Sequence, residues 1–300
     1  MQLAKLGAEE ISKQISTQGL AIKIGPVSVR IKSSLEGVIR HIISFYTAYE
    51  INDADFNDFH LSLEAPFILR KWIRPQVIFL FDGHQPFMPL PLSQAAAMFE
   101  WGLNWCIAHH SNQFLIIHAA VVELNGHAFI LPGAPGNGKS TLCAALVCKG
   151  WRLLSDEMAL VSMENGQIYP IPRPVSLKNK SIEVISAYSA DAVFGEIVHD
   201  TAKGSIAHMR APDSSIYSSD QAVTPAKIIF PKYKQGTVTE LTLISKGNSA
   251  LKAAEQCFNY SVLGTQGFET LCALVDVSDC YEFSYSCLDE AIELFTELAR

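Results

Sequence analysis

The sequence of 300 residues has no uninterrupted apolar run of the roughly 18 to 20 residues that a membrane-spanning helix requires. Its first ten residues, MQLAKLGAEE, include acidic side chains and lack the continuous apolar segment of a secretory signal. None of the seven cysteines forms a C-x-x-C pair, which argues against both a disulfide framework and a structural zinc site. We therefore expect a cytoplasmic protein with reduced thiols and no membrane partner.

Charge is also scarce, because only 18% of the residues are charged and the net charge is −7. An acidic chain of this kind has no general affinity for nucleic acid, so no nucleic-acid partner is expected. The one basic cluster, formed by Arg70, Lys71 and Arg74, is interpreted as a solvated loop. Apolar residues account for 49% of the chain, which indicates a well-packed globular protein.

A change of pattern near Ser111 and Asn112 predicts two domains. Residues 1–112 contain no nucleotide-binding motif and are predicted to form a smaller, mixed α+β recognition domain. Residues 113–300 are predicted to form an α/β catalytic domain. We therefore expect the first domain to recognise a substrate or a partner.

Hydrophobic periodicity predicts the main elements of the first domain. Helical spacing covers residues 35–49, and a stronger helix is predicted over residues 94–110 with Ser93 as its N-cap. The tryptophans of this second helix, Trp101 and Trp105, are interpreted as core residues. Strands are predicted at residues 27–32, 59–63 and 77–81.

The second domain is predicted to begin with a single strand over residues 114–124. The Asn125-Gly126 pair is typical of a two-residue hairpin turn, and residues 127–131 form the returning strand. A glycine-rich segment follows, and then a helix over residues 139–149 that ends at Gly150. Further predictions are strands at residues 152–154, 158–163, 167–171, 227–230 and 237–244, a polar mobile loop at 200–225, and a helix at 288–298.

The glycine-rich segment carries the strongest signal in the chain. Residues 133–140 read G-A-P-G-N-G-K-S and match the P-loop pattern G-x-x-x-x-G-K-[ST] at every required position. Inward-turned backbone N–H groups and the following helix N-terminus suit phosphate. Lys139 is expected to contact the β- and γ-phosphates, and the Ser140 hydroxyl is expected to ligate Mg²⁺. The residues expected to contact the nucleoside triphosphate are Gly133, Ala134, Pro135, Gly136, Asn137, Gly138, Lys139, Ser140 and Thr141.

Topology places two more groups beside this loop. If Asn125-Gly126 is the hairpin turn, His118 pairs with Gly133 at the start of the loop. Asp156 ends a strand that is reached through a strand–helix–strand crossover, which normally returns a parallel neighbour. The carboxylate should therefore lie at the same sheet edge as the loop, together with the adjacent Glu157.

Two roles remain open for these acidic residues. Asp156, with Ser140 and Glu157, could ligate Mg²⁺ as the acidic element of a P-loop enzyme does. Asp156 could instead accept the proton of an attacking hydroxyl, with His118 steering its basicity.

Phosphoryl transfer also requires positive charge near the transferred group. The candidates are Arg173, Lys178 and Arg210, the last of which lies close to His208 in the sequence. Arg152, within the strand before Asp156, is expected to form a structural ion pair instead.

These residues resemble those of the HPr serine kinase/phosphorylase family, most closely its branch of HPr kinase-related kinases of type A. The resemblance rests on His118 at a strand start, on the P-loop, and on residues 150–157, GWRLLSDE. Three further segments resemble the type A branch: residues 101–106 (WGLNWC), 171–179 (IPRPVSLKN) and 204–210.

The resemblance implies an ATP- and Mg²⁺-dependent kinase with the fold of HPr kinases and phosphoenolpyruvate carboxykinases. It also implies that Asp156 is the general base, that His118 is its partner, and that Lys139 and Ser140 contact phosphate and magnesium. Glu157 and Ala119 stand where the family has Asp and Gly. Related enzymes form rings, so a homo-oligomer is a possible assembly.

The sequence thus predicts transfer of the γ-phosphoryl group of ATP to a hydroxyl, with a serine of an unidentified protein or peptide as the favoured acceptor. Asp156, His118, Lys139, Arg173 and Arg210 are the predicted catalytic residues. Two alternatives remain: a switch or assembly module that binds ATP without phosphorylating a partner, and a small-molecule kinase.

Overall fold

The computed structural model describes residues 1–66 and 74–300. Arg70 and Lys71 of the predicted basic cluster lie outside these described residues. Within them, no helix combines the length and the apolar character needed to cross a membrane. The structure is a mixed α/β protein with several sheets.

The helices of the described chain are named in chain order. They are α1 Ala8–Ser16, α2 Glu36–Phe45, α3 Ala95–His110, α4 Lys139–Cys148, α5 Lys180–Tyr188, α6 Asp213–Tyr217, α7 Lys246–Ala254, α8 Tyr260–Leu263, α9 Thr265–Val277 and α10 Leu288–Leu298. Short 3₁₀ turns lie at Leu3–Lys5 and Leu92–Gln94.

The strands are named in the same way. They are β1 Leu20–Ile24, β2 Val27–Ser33, β3 Glu50–Ile51, β4 Phe59–Glu64, β5 Gln76–Phe81, β6 Leu90–Pro91, β7 Phe114–Ile117, β8 Ala119–Leu124, β9 His127–Pro132, β10 Arg152–Ser155, β11 Ala159–Ser162, β12 Ile168–Tyr169, β13 Val175–Lys178, β14 Val198–Thr201, β15 Gly204–Met209, β16 Thr224–Tyr233, β17 Glu240–Leu243 and β18 Asp279–Tyr285.

A first sheet with the order β3-β1-β2-β4-β5-β6 is built from the amino-terminal third of the chain. Helix α3 packs against β4 and β5. Gly102 permits this close approach, because a Cβ atom there would collide with the ring of Phe79. The predicted strands at 27–32, 59–63 and 77–81 are confirmed as β2, β4 and β5. The predicted domain boundary at residues 111–112 stays a prediction.

Two helix predictions in this region need correction. The helix predicted over residues 35–49 ends at Phe45. Ser93 is not the N-cap of α3, because it lies inside the 3₁₀ turn that leads into the helix, and Gln94 occupies the cap position.

The central sheet has the order β10-β8-β9-β16-β18-β17. Its strands β9, β16 and β18 are parallel, so their carboxyl ends meet at one edge. Alternate residues of β8 and β9 belong to two different core clusters, as Phe129 and Ile130 illustrate. Phe129 packs near Trp151 and Phe295 on the α4/α10 side, whereas Ile130 shares a cluster with Leu274 of α9. Helices therefore cover both faces of this sheet.

The single strand predicted over residues 114–124 is wrong. The chain forms β7 and β8, which belong to different sheets and are separated at His118. The amide of His118 donates to Gln256 O at 2.7 Å, so a segment distant in sequence takes over the pairing. The hairpin register is confirmed from Leu124–His127 to Ala119–Pro132. The predicted pair of His118 and Gly133 does not form, because the ladder ends one residue earlier.

The crossover prediction is also partly wrong. Strand β10 does not neighbour β9; it pairs antiparallel with β8, which lies between them. Because β8 is antiparallel to both strands, β9 and β10 still run in the same direction. Their carboxyl ends therefore point to the same edge of the sheet, as the sequence predicted.

The mobile loop predicted at residues 200–225 is wrong as well. This stretch contains the end of β14, all of β15 and α6, and the start of β16. Its order comes from pairing between β15 and β13, a non-local contact that a polar local composition does not reveal. The carboxyl-terminal helix is confirmed with its predicted bounds as α10, and the strands predicted at 158–163 and 167–171 are confirmed in shorter form as β11 and β12, which pair antiparallel.

Candidate functional site

The glycine-rich loop, residues 133–140, connects β9 to α4. Gly136 and Gly138 adopt φ angles of +92° and +87°, which side chains rarely tolerate. The Tyr285 hydroxyl donates to Gly138 O at 3.0 Å, and the amide of Tyr233 donates to Asn137 O at 3.0 Å. The loop is therefore held by residues at the carboxyl ends of β16 and β18, beside the end of β9.

The residues predicted to contact a nucleotide differ in exposure. Ala134, Pro135 and Gly136 are exposed, Asn137, Gly138, Ser140 and Thr141 are partly buried, and Gly133 and Lys139 are buried. The ammonium of Lys139 donates to the carbonyl oxygens of Gly133 and Ala134, so it folds back over its own loop. Burial lowers the pKa of Lys139, an effect that the charges of Glu157 and Asp156 oppose.

Asp156 follows β10 and is 5% exposed. Its Oδ2 accepts the amide of Ser176 at 2.9 Å. Its Oδ1 is buried and makes no hydrogen bond of acceptable geometry to any described residue, although Ser140 lies close enough to lower the pKa. Burial and the charge of Glu157 outweigh these effects and raise the pKa of Asp156 to about 7. A carboxylate oxygen with an open lone pair thus lies beside Ser140.

Glu157 faces a different group of residues. Its carboxylate lies 3.5 Å from Nε2 of His118 and 3.8 Å from Nζ of Lys178. Burial alone would raise the pKa of Glu157, but the hydrogen bond from His118 and the charge of Lys178 hold it well below its ordinary value. The structure therefore corrects the predicted pair of His118 and Asp156, because the carboxylate partner of His118 is Glu157. The ring of His118 also lies 5.5 Å from that of Phe258.

His118 and Glu157 open onto a cavity of about 450 Å³ between α3 and the sheet of β13, β14 and β15. One wall is formed by α3, and a second by side chains of β13 and β15. The turn between β14 and β15, residues 201–203, lines a third side. The cavity thus brings together segments from both predicted domains.

The two arginines predicted near phosphate contact other groups. Arg173 is buried in the cavity wall, where it lies 3.5 Å from Oε2 of Glu100 and donates to Asn104. Arg210 forms an ion pair with Asp213 at 2.8 Å. Neither of these contacts involves the glycine-rich loop. The third predicted cation, Lys178, forms an ion pair with Glu157.

Arg152 takes the structural role predicted for it. Its guanidinium lies 3.4 Å from Glu123 on the neighbouring strand β8 and donates to Gln221 O at 2.9 Å. These contacts tie β10 to the chain before β16.

A buried polar network behind the cavity was missed at the sequence level. Oε1 of Glu100 lies 2.7 Å from both the Tyr46 hydroxyl and Nε2 of His41, and Oε2 faces Arg173. Burial would raise the pKa of Glu100, but the hydrogen bond from His41 and the charge of Arg173 outweigh it and lower the pKa. Burial lowers the pKa of His208, beside His41, to about 4. An acidic residue inside the apolar stretch AAAMFEWGLNWC was the available signal.

Among residues 1–66 and 74–300, no group of three or more His, Cys, Asp and Glu side chains could hold a metal ion. Ser140 and Asp156 supply oxygen atoms only, which are the ligands that Mg²⁺ prefers. Magnesium usually takes one or two protein carboxylates and completes its shell with phosphate oxygens and water. The donor set therefore fits magnesium that arrives with a nucleotide.

Comparison with known proteins gives limited matches. The family model described as "SynChlorMet cassette protein ScmC" matches residues 95–194, which is a third of the chain. This stretch includes α3, the glycine-rich loop, Asp156 and Arg173. No curated protein sequence matches the chain.

Among solved structures, the Hpr(Ser) kinase/phosphatase from Coxiella burnetii matches with 13% sequence identity and a TM-score of 0.28. The match covers 61% of this chain and 96% of that one. This is a distant structural similarity, and the family resemblance inferred from the sequence stays a prediction. The closer resemblance to the type A branch stays a prediction.

Proposed function

We propose that the protein transfers the γ-phosphoryl group of ATP to a hydroxyl acceptor. The observation that carries this proposal is the position of Asp156, a buried carboxylate close to Ser140 of the glycine-rich loop, whose Oδ1 has no hydrogen-bond partner among the described residues. The next residue, Glu157, lines the cavity. Asp156 and Glu157 are adjacent, so one carboxylate lies near a loop that would bind phosphate and the next lines a cavity that would bind an acceptor.

The loop would hold the nucleotide through its backbone N–H groups and the N-terminus of α4. Lys139 would exchange its contacts with Gly133 and Ala134 for phosphate oxygens. The Ser140 hydroxyl would hold magnesium, which would offset charge on the β- and γ-phosphates. Lys178 adds positive charge close to Glu157.

In the transfer step the acceptor oxygen forms a bond to the γ-phosphorus. The bond from that phosphorus to the β–γ bridging oxygen breaks, and ADP leaves with the electron pair. Oδ1 of Asp156 takes the acceptor's proton. Burial and the charge of Glu157 raise the pKa of Asp156, so its carboxylate is a stronger base than an exposed aspartate.

The decisive experiment separates nucleotide binding from transfer. Equilibrium binding of ATP with Mg²⁺ and transfer of label from γ-labelled ATP to components of a host lysate are measured on the full chain. Lys139→Ala should lose both, because the loop loses its phosphate-binding ammonium. Asp156→Asn should keep ATP affinity within about threefold while transfer falls by about 10²- to 10⁴-fold, the usual range for loss of a general base.

The matched control is Asp220→Asn, which changes an exposed aspartate and should leave both measurements unchanged. If label appears only in free phosphate, phosphoryl transfer to an acceptor is wrong and an ATP-dependent switch replaces it. If Asp156→Asn instead abolishes Mg²⁺-dependent ATP binding, Asp156 is a magnesium ligand and its role as the base is wrong.

A further inference from the structure

One side of α3 is apolar and lines the cavity, although part of it also packs in the protein core. Ala97, Met98, Trp101, Trp105 and Ala108 follow helical spacing and line the cavity. Trp101 remains 43% exposed, whereas Phe99 and Leu103 on the other side of the helix are fully buried. Met98 and Ala108 also belong to the core, whereas the exposed part of Trp101 has no such packing role.

The predicted core role is confirmed in part for Trp105, which is half-buried and packs against the core, and is wrong for Trp101, which is exposed. Trp101 stacks at 4.1 Å on Phe87, and Trp105 lies 4.9 Å from the ring of His109, so neighbouring rings fix both indoles at the cavity. Rigid aromatic surfaces of this kind bind rings and other flat apolar groups at low cost in conformational entropy.

The facing wall is polar because of the strand register. Ser176 pairs with His208, and Lys178 pairs with Ile206, which places these side chains on one face of the small sheet. All four line the cavity. The cavity therefore presents an apolar side and a polar side to whatever occupies it.

The charged groups of the cavity are paired, with one exception. Arg173 pairs with Glu100, and Lys178 pairs with Glu157. Lys203 makes no ion pair with any described residue, yet it lies close enough for its charge to lower the pKa of Glu157. One positive charge is thus left over for an occupant.

The turn that carries Lys203 is held in place from α3's side of the cavity. The Gln94 side chain, which is buried, donates to Asp200 O at 3.0 Å. The backbone that leads into this turn is therefore anchored, and the turn carries Lys203, an exposed residue that lines the cavity.

We propose that this cavity is the acceptor site and that it binds a small monoanionic molecule with a ring-sized apolar body and a hydroxyl group. The ring packs on Trp101 and Trp105, the anionic group pairs with Lys203, and the hydroxyl lies at Glu157 next to Asp156. A volume of about 450 Å³ is in the range of small-molecule sites, and it is too small for a folded protein. This proposal rests on the proposed function, because the hydroxyl group of the ligand has a role only if it accepts a phosphoryl group.

The test measures binding to the full chain without ATP, by saturation-transfer NMR. The probes are N-acetyl-L-tyrosine and its uncharged amide, which differ only in the carboxylate. The acid should bind about fivefold more tightly than the amide, which corresponds to one partly exposed ion pair. Lys203→Gln should abolish this preference, and Lys203→Arg should retain it. Trp105→Ala should weaken both probes equally.

Lys13→Gln, which removes an exposed lysine on α1, is the matched control and should leave the preference intact. Equal binding of the two probes, a preference that survives in Lys203→Gln, or no binding of either probe would overturn the inference. ATP binding, tested separately with Lys139→Ala, distinguishes this failure from that of the proposed function. If the acid binds and ATP does not, the cavity remains a ligand site while the transfer reaction is wrong.

Discussion

The glycine-rich loop and the cavity lie on either side of Asp156 and Glu157, but they are built differently. The loop is one continuous segment, and its shape depends on backbone angles and on contacts from Tyr233 and Tyr285. The cavity is lined by side chains from segments scattered between residues 90 and 258, and buried charges hold its wall.

This difference determines how each region should respond to substitution. A change in the loop alters local backbone strain, and its effect should remain near the phosphate site. A change in the buried network of Glu100 leaves other charges without partners inside the protein. It should therefore lower the free energy of unfolding of the whole protein.

The largest effect is expected from Glu100→Ala. It would leave the guanidinium of Arg173 buried without its carboxylate, and Tyr46 and His41 without their acceptor. Removing one partner of a buried ion pair costs about 3–5 kcal/mol in the free energy of unfolding. Urea denaturation measures this loss.

Glu9→Ala, at an exposed position of α1, provides the control and should change stability by less than about 0.5 kcal/mol. If Glu100→Ala does not fold, Glu100→Gln keeps the shape of the side chain and still allows the measurement. A loss below about 1 kcal/mol in either variant would show that the network does not support the cavity wall.

A smaller effect is expected in the loop, where Gly138→Ala and Gly136→Ala form a matched pair. Both residues have positive φ angles, so alanine should cost about 1–2 kcal/mol at each. At Gly138 the new Cβ would also lie 2.5 Å from the Tyr285 hydroxyl and 2.8 Å from Cβ of Tyr233, whereas nothing lies within 4 Å at Gly136. Gly138→Ala should therefore lose about 1 kcal/mol more and bind ATP more weakly.

Denaturation of both variants gives their free energies of unfolding. The difference between the two losses is the part caused by steric overlap at Gly138, because both variants share the backbone strain of a positive φ angle. Equal losses would show that the two tyrosines move aside freely, and the loop would then not depend on the ends of β16 and β18.

The loop could be predicted from the sequence because its signals are local. The Asn125-Gly126 pair fixed the hairpin, and the spacing of glycines in residues 133–140 fixed the loop between a strand and a helix. The carboxyl-terminal helix was predicted correctly for the same reason, since its apolar residues repeat along one continuous segment.

The cavity and its network could not be predicted in this way. His41 and Glu100 are 59 residues apart, and Arg173 joins them from a third segment. The partner of His118 was assigned to Asp156 because a continuous strand was expected, but the chain changes sheets at that residue. Residues 200–225 were interpreted as mobile because they are polar, and their pairing with β13, a strand not adjacent in sequence, gave no local signal.

The last predicted effect concerns His208, which makes the stability of the buried network depend on pH. Burial lowers its pKa from an ordinary 6.5 to about 4, so between these pH values the unfolded chain binds a proton that the folded chain does not. The free energy of unfolding should therefore fall as the pH drops from 6.5 towards 4, by about 1–3 kcal/mol from this group. His208→Gln removes the titrating group and should flatten that part of the profile.

The quantity to measure is the difference in unfolding free energy between the wild type and His208→Gln at pH 7 and at pH 4.5. Asp156, whose raised pKa gives a slope of the opposite sign, is present in both proteins and cancels in this difference. His84→Gln, at an exposed histidine, should give a profile parallel to the wild type. If His208→Gln is also parallel, His208 is protonated in the fold, and the cavity wall tolerates a further positive charge beside Arg173.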